Sequence, residues 1–163
     1  MLIRNLLSSS HIPSLRCFSS SAPCLLKVGD TLKQTRTFAD EDLMEYAKVT
    51  YDSNPIHFDS EAARNAGFED RLVHGTLVAS MIPHIISSHF PGAVYLSQSV
   101  HFKLPVYIGE EIAAEMEAIN IRANKKRYIA KLKIRCFKNG ELLVLDGEAM
   151  AILPSLVVEQ VHR

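Results

Sequence analysis

The sequence predicts an α+β fold, a single domain in which one antiparallel sheet wraps around a long central helix. Three observations point there. From residue 74 to 90 apolar residues recur at helical spacing, and Leu77, Val78, Met81, Ile82, Ile85 and Ile86 cover too wide an arc for a surface helix. After Pro91-Gly92 the period changes to two and stays there almost to the end of the chain. The 163 residues, 47% of them hydrophobic, are enough for one core that holds without disulfides or a structural metal.

The elements follow in order. An extended stretch runs from Val28 to Phe38, after a turn signal at Gly29-Asp30. Asp40-Glu41-Asp42 then places acids in the first turn of a helix striped by Leu43, Met44, Tyr46, Ala47 and Thr50, which must end before Pro55. A short helix over Ser60 to Asn65 closes at Gly67. The long helix follows, and Pro83 inside it removes the hydrogen bond to the Ala79 carbonyl, so a kink is expected. The rest is strand: Val94 to Pro105, an alternating Glu111–Ala118 segment, and Tyr128, Ala130, Leu132, Ile134 and Cys136 alternating with Lys and Arg. Asn139-Gly140 is a hairpin turn leading into a last strand that reaches Ile152.

Charge bounds the function. The 18 Lys and Arg balance 18 Asp and Glu, which argues against nucleic acid or an anionic membrane surface as the main partner. No run approaches the ~18 apolar residues of a membrane-spanning helix, so no membrane insertion is expected. The balance conceals an asymmetry, because residues 1–29 hold Arg4, Arg16 and Lys27, many serines and no acid. Residues 1–24 therefore read as a mitochondrial targeting peptide, with a plastid import peptide and a merely disordered tail as the alternatives, and residues 25–163 as the folded domain, destined for the matrix. Arg16-Cys17-Phe18-Ser19-Ser20 resembles the Arg-x-Phe-Ser processing site of mitochondrial precursors and places the cut after Phe18. A secretory signal would need an unbroken apolar stretch, and Ser, His and Pro interrupt this one. Of the three Cys, only Cys136 lies well inside the domain, where it reads as a small buried hydrophobe.

Two places can carry chemistry. In Asp52-Ser53-Asn54-Pro55-Ile56-His57 an acid and an imidazole lie five residues apart across a proline turn, so they can converge on one small molecule as acid and base. The same residues also suit a capped turn with a polar core histidine, and both readings are open on spacing alone. At His74-Gly75-Thr76 the buried helix begins, and first-turn N–H groups there can polarise a carbonyl or hold an oxyanion. Gly75 leaves that backbone open to close approach. His84 and His89 do not share a helix face and make a poor metal pair. His101 can line a pocket or serve the strand, and Lys125-Lys126-Arg127 at a hairpin loop can be a solvated turn or a landing site for an acidic partner.

The spaced set Tyr46-x-x-Val49-Thr50-Tyr51-Asp52-Ser53-Asn54-Pro55-Ile56-His57, with Val73-His74-Gly75-Thr76-Leu77 and Ser99-Val100-His101-Phe102-Lys103-Leu104-Pro105-Val106 after it, resembles the MaoC-like, R-specific enoyl hydratase 2 family. The resemblance spans about Val28 to Pro154. It implies a hotdog fold, Asp52 and His57 as the catalytic pair, and the Gly75 N–H as donor to a thioester carbonyl; Asn54 is expected to orient one of that pair by a side-chain hydrogen bond. It also implies a homodimer, no metal and no cofactor, and a substrate carried on the phosphopantetheine of acyl carrier protein or coenzyme A. With a mitochondrial leader, the implied reaction is reversible dehydration of a (3R)-3-hydroxyacyl thioester on acyl carrier protein, in type II fatty acid biosynthesis. An (R)-specific enoyl-CoA hydratase, a hotdog thioesterase and a non-catalytic acyl-binding partner are the alternatives. Tyr51 departs from the glycine usual before the catalytic Asp, so it either points away or narrows the pocket.

Overall fold

The computed structural model describes residues 23–159. The import-peptide reading therefore falls on residues that lie, but for the last two, outside those described. Four helices and five strands follow the predicted order: β1 Thr31–Thr37, α1 Asp40–Thr50, α2 Ser60–Asn65, α3 Gly75–Ala79, α4 Met81–His89, β2 Val94–Phe102, β3 Glu111–Asn124, β4 Arg127–Lys138 and β5 Leu142–Leu153, with a 3-10 turn at Pro55–His57. The strands form one antiparallel sheet in the order β1-β3-β4-β5-β2. Among the described residues no helix is long and apolar enough to cross a membrane.

The sheet curls around α3 and α4. All six apolar residues singled out on this helical stretch are buried, Ile82 and Ile85 almost completely, against Ile112, Met116, Leu132, Ile134 and Leu153 of the strands. The other face of the sheet carries the charge columns. Lys33, Glu115 and Arg135 sit directly opposite one another across β1, β3 and β4, so opposite charges pair across the register. Gly147 falls at an inward position of β5, opposite Val100 of β2. A Cβ there would stand 1.9 Å from the Ser99 carbonyl oxygen, so only glycine lets β2 fold this closely across β5.

The structure refines two expectations. The long central helix over residues 74–90 is present and carries the expected kink, an interruption at Ser80 between α3 and α4, where the backbone stays right-handed helical at φ −66° and ψ −15°. Proline's ring excludes the carbonyl four residues back, and the structure compensates for the loss. The freed Ala79 carbonyl accepts from Gln98 Nε2 on β2 at 3.5 Å, the Ser80 hydroxyl donates to the Leu77 carbonyl at 2.6 Å, and Pro83 stands in the first turn of α4, where its missing N–H costs least. The stripe on α1 is also only partly used, since Leu43 is its one fully buried residue and Met44 is exposed. Set outside the sheet, this helix depends on its ends: the Asp42 carboxylate accepts the Ala39 N–H at 2.9 Å, which with Arg36 beside it holds that carboxyl below its usual range. The short α2 is as predicted, capped by Asp59 on Glu61 and Ala62 and closed by Gly67 at φ +91°.

At the start of the described chain, the Leu26 N–H donates to the Leu156 carbonyl and the Cys24 carbonyl accepts from Val158, both at 2.8 Å, with Leu26 buried. Removal as far as residue 24 would cost the Cys24 bond, whereas a cut after Phe18 spares both. Replacing Gly147 with Ala should force β2 off β5 and destabilise the domain by roughly 2 kcal/mol or more, as overpacking against backbone does. Urea unfolding of the two proteins measures this; an unchanged midpoint would mean that the curl of the sheet does not depend on that contact.

Candidate active site

A cavity of about 420 Å³ opens at the start of α3, walled mainly by apolar side chains such as Leu72, Val78, Leu104, Val144 and Leu145. Asp52, His57 and Gly75 all line it. The two candidate sequence features are thus brought to one place, although 17 residues separate His57 from His74.

The loop from α1 is built residue by residue. Tyr51 ends the helix in the left-handed region at φ 60°, with its N–H on the Ala47 carbonyl. A left-handed position favours glycine, which accounts for the glycine usual there. The Tyr51 ring is 89% exposed and does not narrow the cavity, so it points away. Asp52 Oδ1 then accepts the Asn54 N–H, and Asn54 Oδ1 accepts the Ile56 N–H, each at 3.3 Å. The Asn54 side chain is thus engaged by the backbone of the turn that carries His57, in place of the expected side-chain bond to Asp52 or His57. Pro55 opens that turn, its fixed φ suited to a first helical position.

His57 is buried, and its Nδ1 donates to the Leu72 carbonyl at 2.8 Å. A carbonyl accepts only from N–H, so Nδ1 carries the proton and Nε2 is left as the basic nitrogen. Asp52 is half exposed, and its carboxylate comes within 4.8 Å of one ring nitrogen each of His57 and His74. An acid and a base at this separation, one wet and one dry, can serve adjacent atoms of one substrate.

The Leu72 carbonyl is itself braced. Leu72 bridges to Tyr107, whose N–H donates to Glu110 Oε2 at 2.8 Å, and the same oxygen accepts from Lys138 Nζ at 3.1 Å. Lys138 also donates to the Pro105 carbonyl at 2.8 Å. It extends the inward column of Ala130, Leu132, Ile134 and Cys136, so a buried cation closes the strand and pins the loop that walls the cavity. The alternation of β4 placed Lys138 on the buried face; sequence reasoning stopped at Cys136 and missed it.

At the helix start, Leu77 and Val78 donate to the His74 carbonyl, and the N–H groups of Gly75 and Thr76 lie outside the helical ladder. The reason for Gly75 is more specific than open access. A Cβ there would meet the Phe102 ring at 2.8 Å, so the ring of β2's last residue rests on the glycine.

His74 was legible only as the residue before that glycine. Its side chain is 1% exposed and stacks on His57 with ring centroids 3.7 Å apart and planes 22° apart. Its Nε2 is 3.2 Å from the Asp52 carbonyl and 4.0 Å from Asp52 Oδ2. Burial, aided by the neighbouring His57, holds its affinity for a proton below the ordinary value, against the pull of the Asp52 carbonyl. Asp52, His57 and His74 could be read as a cation site. The two rings lie nearly parallel, however, so their lone pairs run side by side, and His57 Nδ1 and His74 Nε2 are committed to carbonyls.

The remaining candidates fall elsewhere. His84 is exposed, His89 Nδ1 donates to the Glu159 carbonyl, and His101 faces outward to pair with Asp146 at 3.3 Å. Cys136 is buried, which pushes its thiol up to about 12. The Lys125-Lys126-Arg127 turn lies at the end of the sheet where Tyr128 meets Leu153, and cavity-lining Leu145 meets Cys136 at the other. Eight residues of strand, about 26 Å, separate the two within a protomer. Lys103 does line the cavity, half exposed and paired with Asp146.

A sheet wrapped on a helix, with a carboxylate, an imidazole and a helix start around an apolar cavity, defines a hotdog-fold protein. The MaoC like domain profile matches residues 26–134, and the chain belongs to that family. It is 59% identical over 159 residues to "3-hydroxyacyl-[acyl-carrier-protein] dehydratase FERN, mitochondrial" of Solanum lycopersicum, covering 98% of this chain and 94% of that protein. It is 62% identical over 144 residues to the "3-hydroxyacyl-[acyl-carrier-protein] dehydratase, mitochondrial" of Arabidopsis thaliana, covering 87% of each. Among solved structures, the (R)-hydratase of Aeromonas caviae superposes with a TM-score of 0.74 at 37% identity, over 79% of this chain and 98% of that one.

Two outcomes follow from this geometry. Gly75→Ala should displace the Phe102 ring and lower turnover at least ~10-fold, and adding Phe102→Ala should recover part of it; no recovery in the double variant would show that the glycine is needed for another reason. Because unfolding returns His74 to its ordinary affinity near 6.5, the unfolded chain binds the extra proton as pH falls through that value. That stability is present above about pH 6.5 and is lost below it. Unfolding midpoints at about pH 7.5 and 5.5 check the sign, and His74→Gln should flatten the slope.

Proposed function

We propose that this chain catalyses the reversible loss of water from a (3R)-3-hydroxyacyl thioester on acyl carrier protein, giving the trans-2-enoyl thioester, in mitochondrial type II fatty acid biosynthesis. The observation that carries it is the meeting of Asp52 and His57 at an apolar cavity beside the start of α3. The names of the tomato and Arabidopsis relatives support the hydro-lyase reaction, the carrier protein and the mitochondrion. Residues 1–24 are the targeting peptide, cut after Phe18, and residues 25–163 the catalytic domain.

The chemistry follows from which atoms are free. His57 Nε2 accepts the C2 proton while the electrons of that C–H bond form the C2=C3 bond. The C3–O bond breaks on the same face, where the Asp52 carboxylate holds the departing hydroxyl by accepting its hydrogen bond. The proton taken up by His57 Nε2 is delivered to that oxygen, which leaves as water, and both residues return to their starting states. Negative charge building on the thioester oxygen is met by the Gly75 N–H at the helix start. Side chains and backbone handle every proton and charge, so the reading needs no cofactor or metal.

The active form is a homodimer. β2 is an edge strand of nine residues, and Val94, Leu96 and Phe102 on it, with Leu104 beyond it, are exposed in the protomer. A long apolar edge of this kind calls for a covering partner, and β2 also ends at the cavity.

The test is loss of enoyl absorbance with matched enoyl-carrier-protein and enoyl-coenzyme A substrates. Hydration of both, with a higher kcat/KM for the carrier-protein form, is expected; release of free thiol would point to a thioesterase and overturn the reading. Asp52→Asn and His57→Gln should each lower turnover by ~10²-fold or more with the fold intact.

A further inference from the structure

His74 makes contact with both members of the pair and is used by neither step above. Its ring is enclosed by His57 on one face, by Tyr46 with centroids 5.0 Å apart and by the edge of Phe58 at 5.9 Å. Its two nitrogens differ. Nε2 faces the Asp52 carbonyl, an acceptor, and must carry the hydrogen. Nδ1 is buried without a hydrogen-bond partner. A bare lone pair there is tolerable, whereas an N–H would be a buried donor with nothing to receive it. The tautomer is thereby set, and a second proton is disfavoured.

We propose that His74 is a positioning residue for the dehydration: its Nε2–H ties down the Asp52 loop, and its neutral ring face seats the His57 ring and supports it when it holds a proton. The inference rests on the acid–base roles given to Asp52 and His57. Stacked at 3.7 Å, a neutral imidazole offers π-density to an imidazolium, as an aromatic face does to any cation. A charged ring there would instead oppose the step. The other ionisable groups facing His57 are Asp52 from its own loop and Lys103 across the cavity, with Tyr46 behind His74, its hydroxyl engaged by Thr76 Oγ1 at 2.7 Å.

Two substitutions separate the two contributions. His74→Gln retains a donor near Nε2 and removes the ring face; the limb of the kcat/KM profile belonging to His57 should move about half a unit to lower pH. His74→Phe retains a face and removes the donor; kcat should fall at least ~10-fold with little change in KM and the limb unmoved. Activities are referred to the folded fraction measured by circular dichroism, and if the Phe variant does not fold the Gln profile decides alone. A folded Gln variant with the wild-type profile, or a folded Phe variant with wild-type kcat, overturns the proposal. Asp52→Asn run in parallel distinguishes the levels: an active Asp52→Asn enzyme sinks the roles given to Asp52 and His57, on which this inference rests, while an inactive one beside normal His74 variants sinks only this inference.

Discussion

A helix that is apolar on all sides but the exposed strip of Thr76, Ser80, His84 and Ser87 has to be enclosed on those apolar sides, and the rest of the molecule is arranged around that requirement. α3 and α4 bury Leu77, Val78, Met81, Ile82, Ile85 and Ile86, which one flat layer of strands could not cover. The sheet therefore curls, and its curl sets local conditions far from the helix. Gly147 lacks a side chain because β2 passes across it. Gln98 reaches inward to the carbonyl that Pro83 releases. The same enclosure brings the end of β2 and the loop after it against the start of α3, and the cavity is the space left where they meet.

The two imidazoles at that junction are dry, and their N–H groups need acceptors. One chain of contacts runs from Lys138 through Glu110, the Tyr107 backbone and Leu72 to His57 Nδ1. Another runs from the Asp52 carbonyl through His74 to the face of His57. Both end on the same imidazole, whose ring plane and tautomer are fixed before any substrate arrives. Such preorganisation is what an acid–base site needs, since a misplacement of about 1 Å can cost ~10²-fold in rate. Asp52 is left half exposed beside it, where water can enter and leave.

Much of this was readable in the residues. Alternation, the Asn139-Gly140 turn and the helical stripe located every strand and the buried helix, and the Asp52–His57 turn stood out because acid, proline and histidine are spaced for convergence. Three things were not readable. Pro83 announced a kink, but not that it would fall at Ser80 or that Gln98 would be at hand to take the Ala79 carbonyl. Gly75 announced close approach without saying that Phe102 would be what approached. His74 gave no sign of stacking on a histidine 17 residues away.

By itself the sequence determined the periodicities, hence the elements, their buried faces and the one turn able to bring a carboxylate and an imidazole together. Those are properties of residues near one another along the chain, set by backbone geometry and local sterics. Tertiary structure decided which nitrogen of His57 is free, what rests on Gly75, why His74 stays neutral, and that the Lys125–Arg127 turn lies at the far end of the sheet from the cavity. Each of these depends on a contact between segments that only closing the sheet around the helix brings together, and no local pattern encodes a partner that lies across the core.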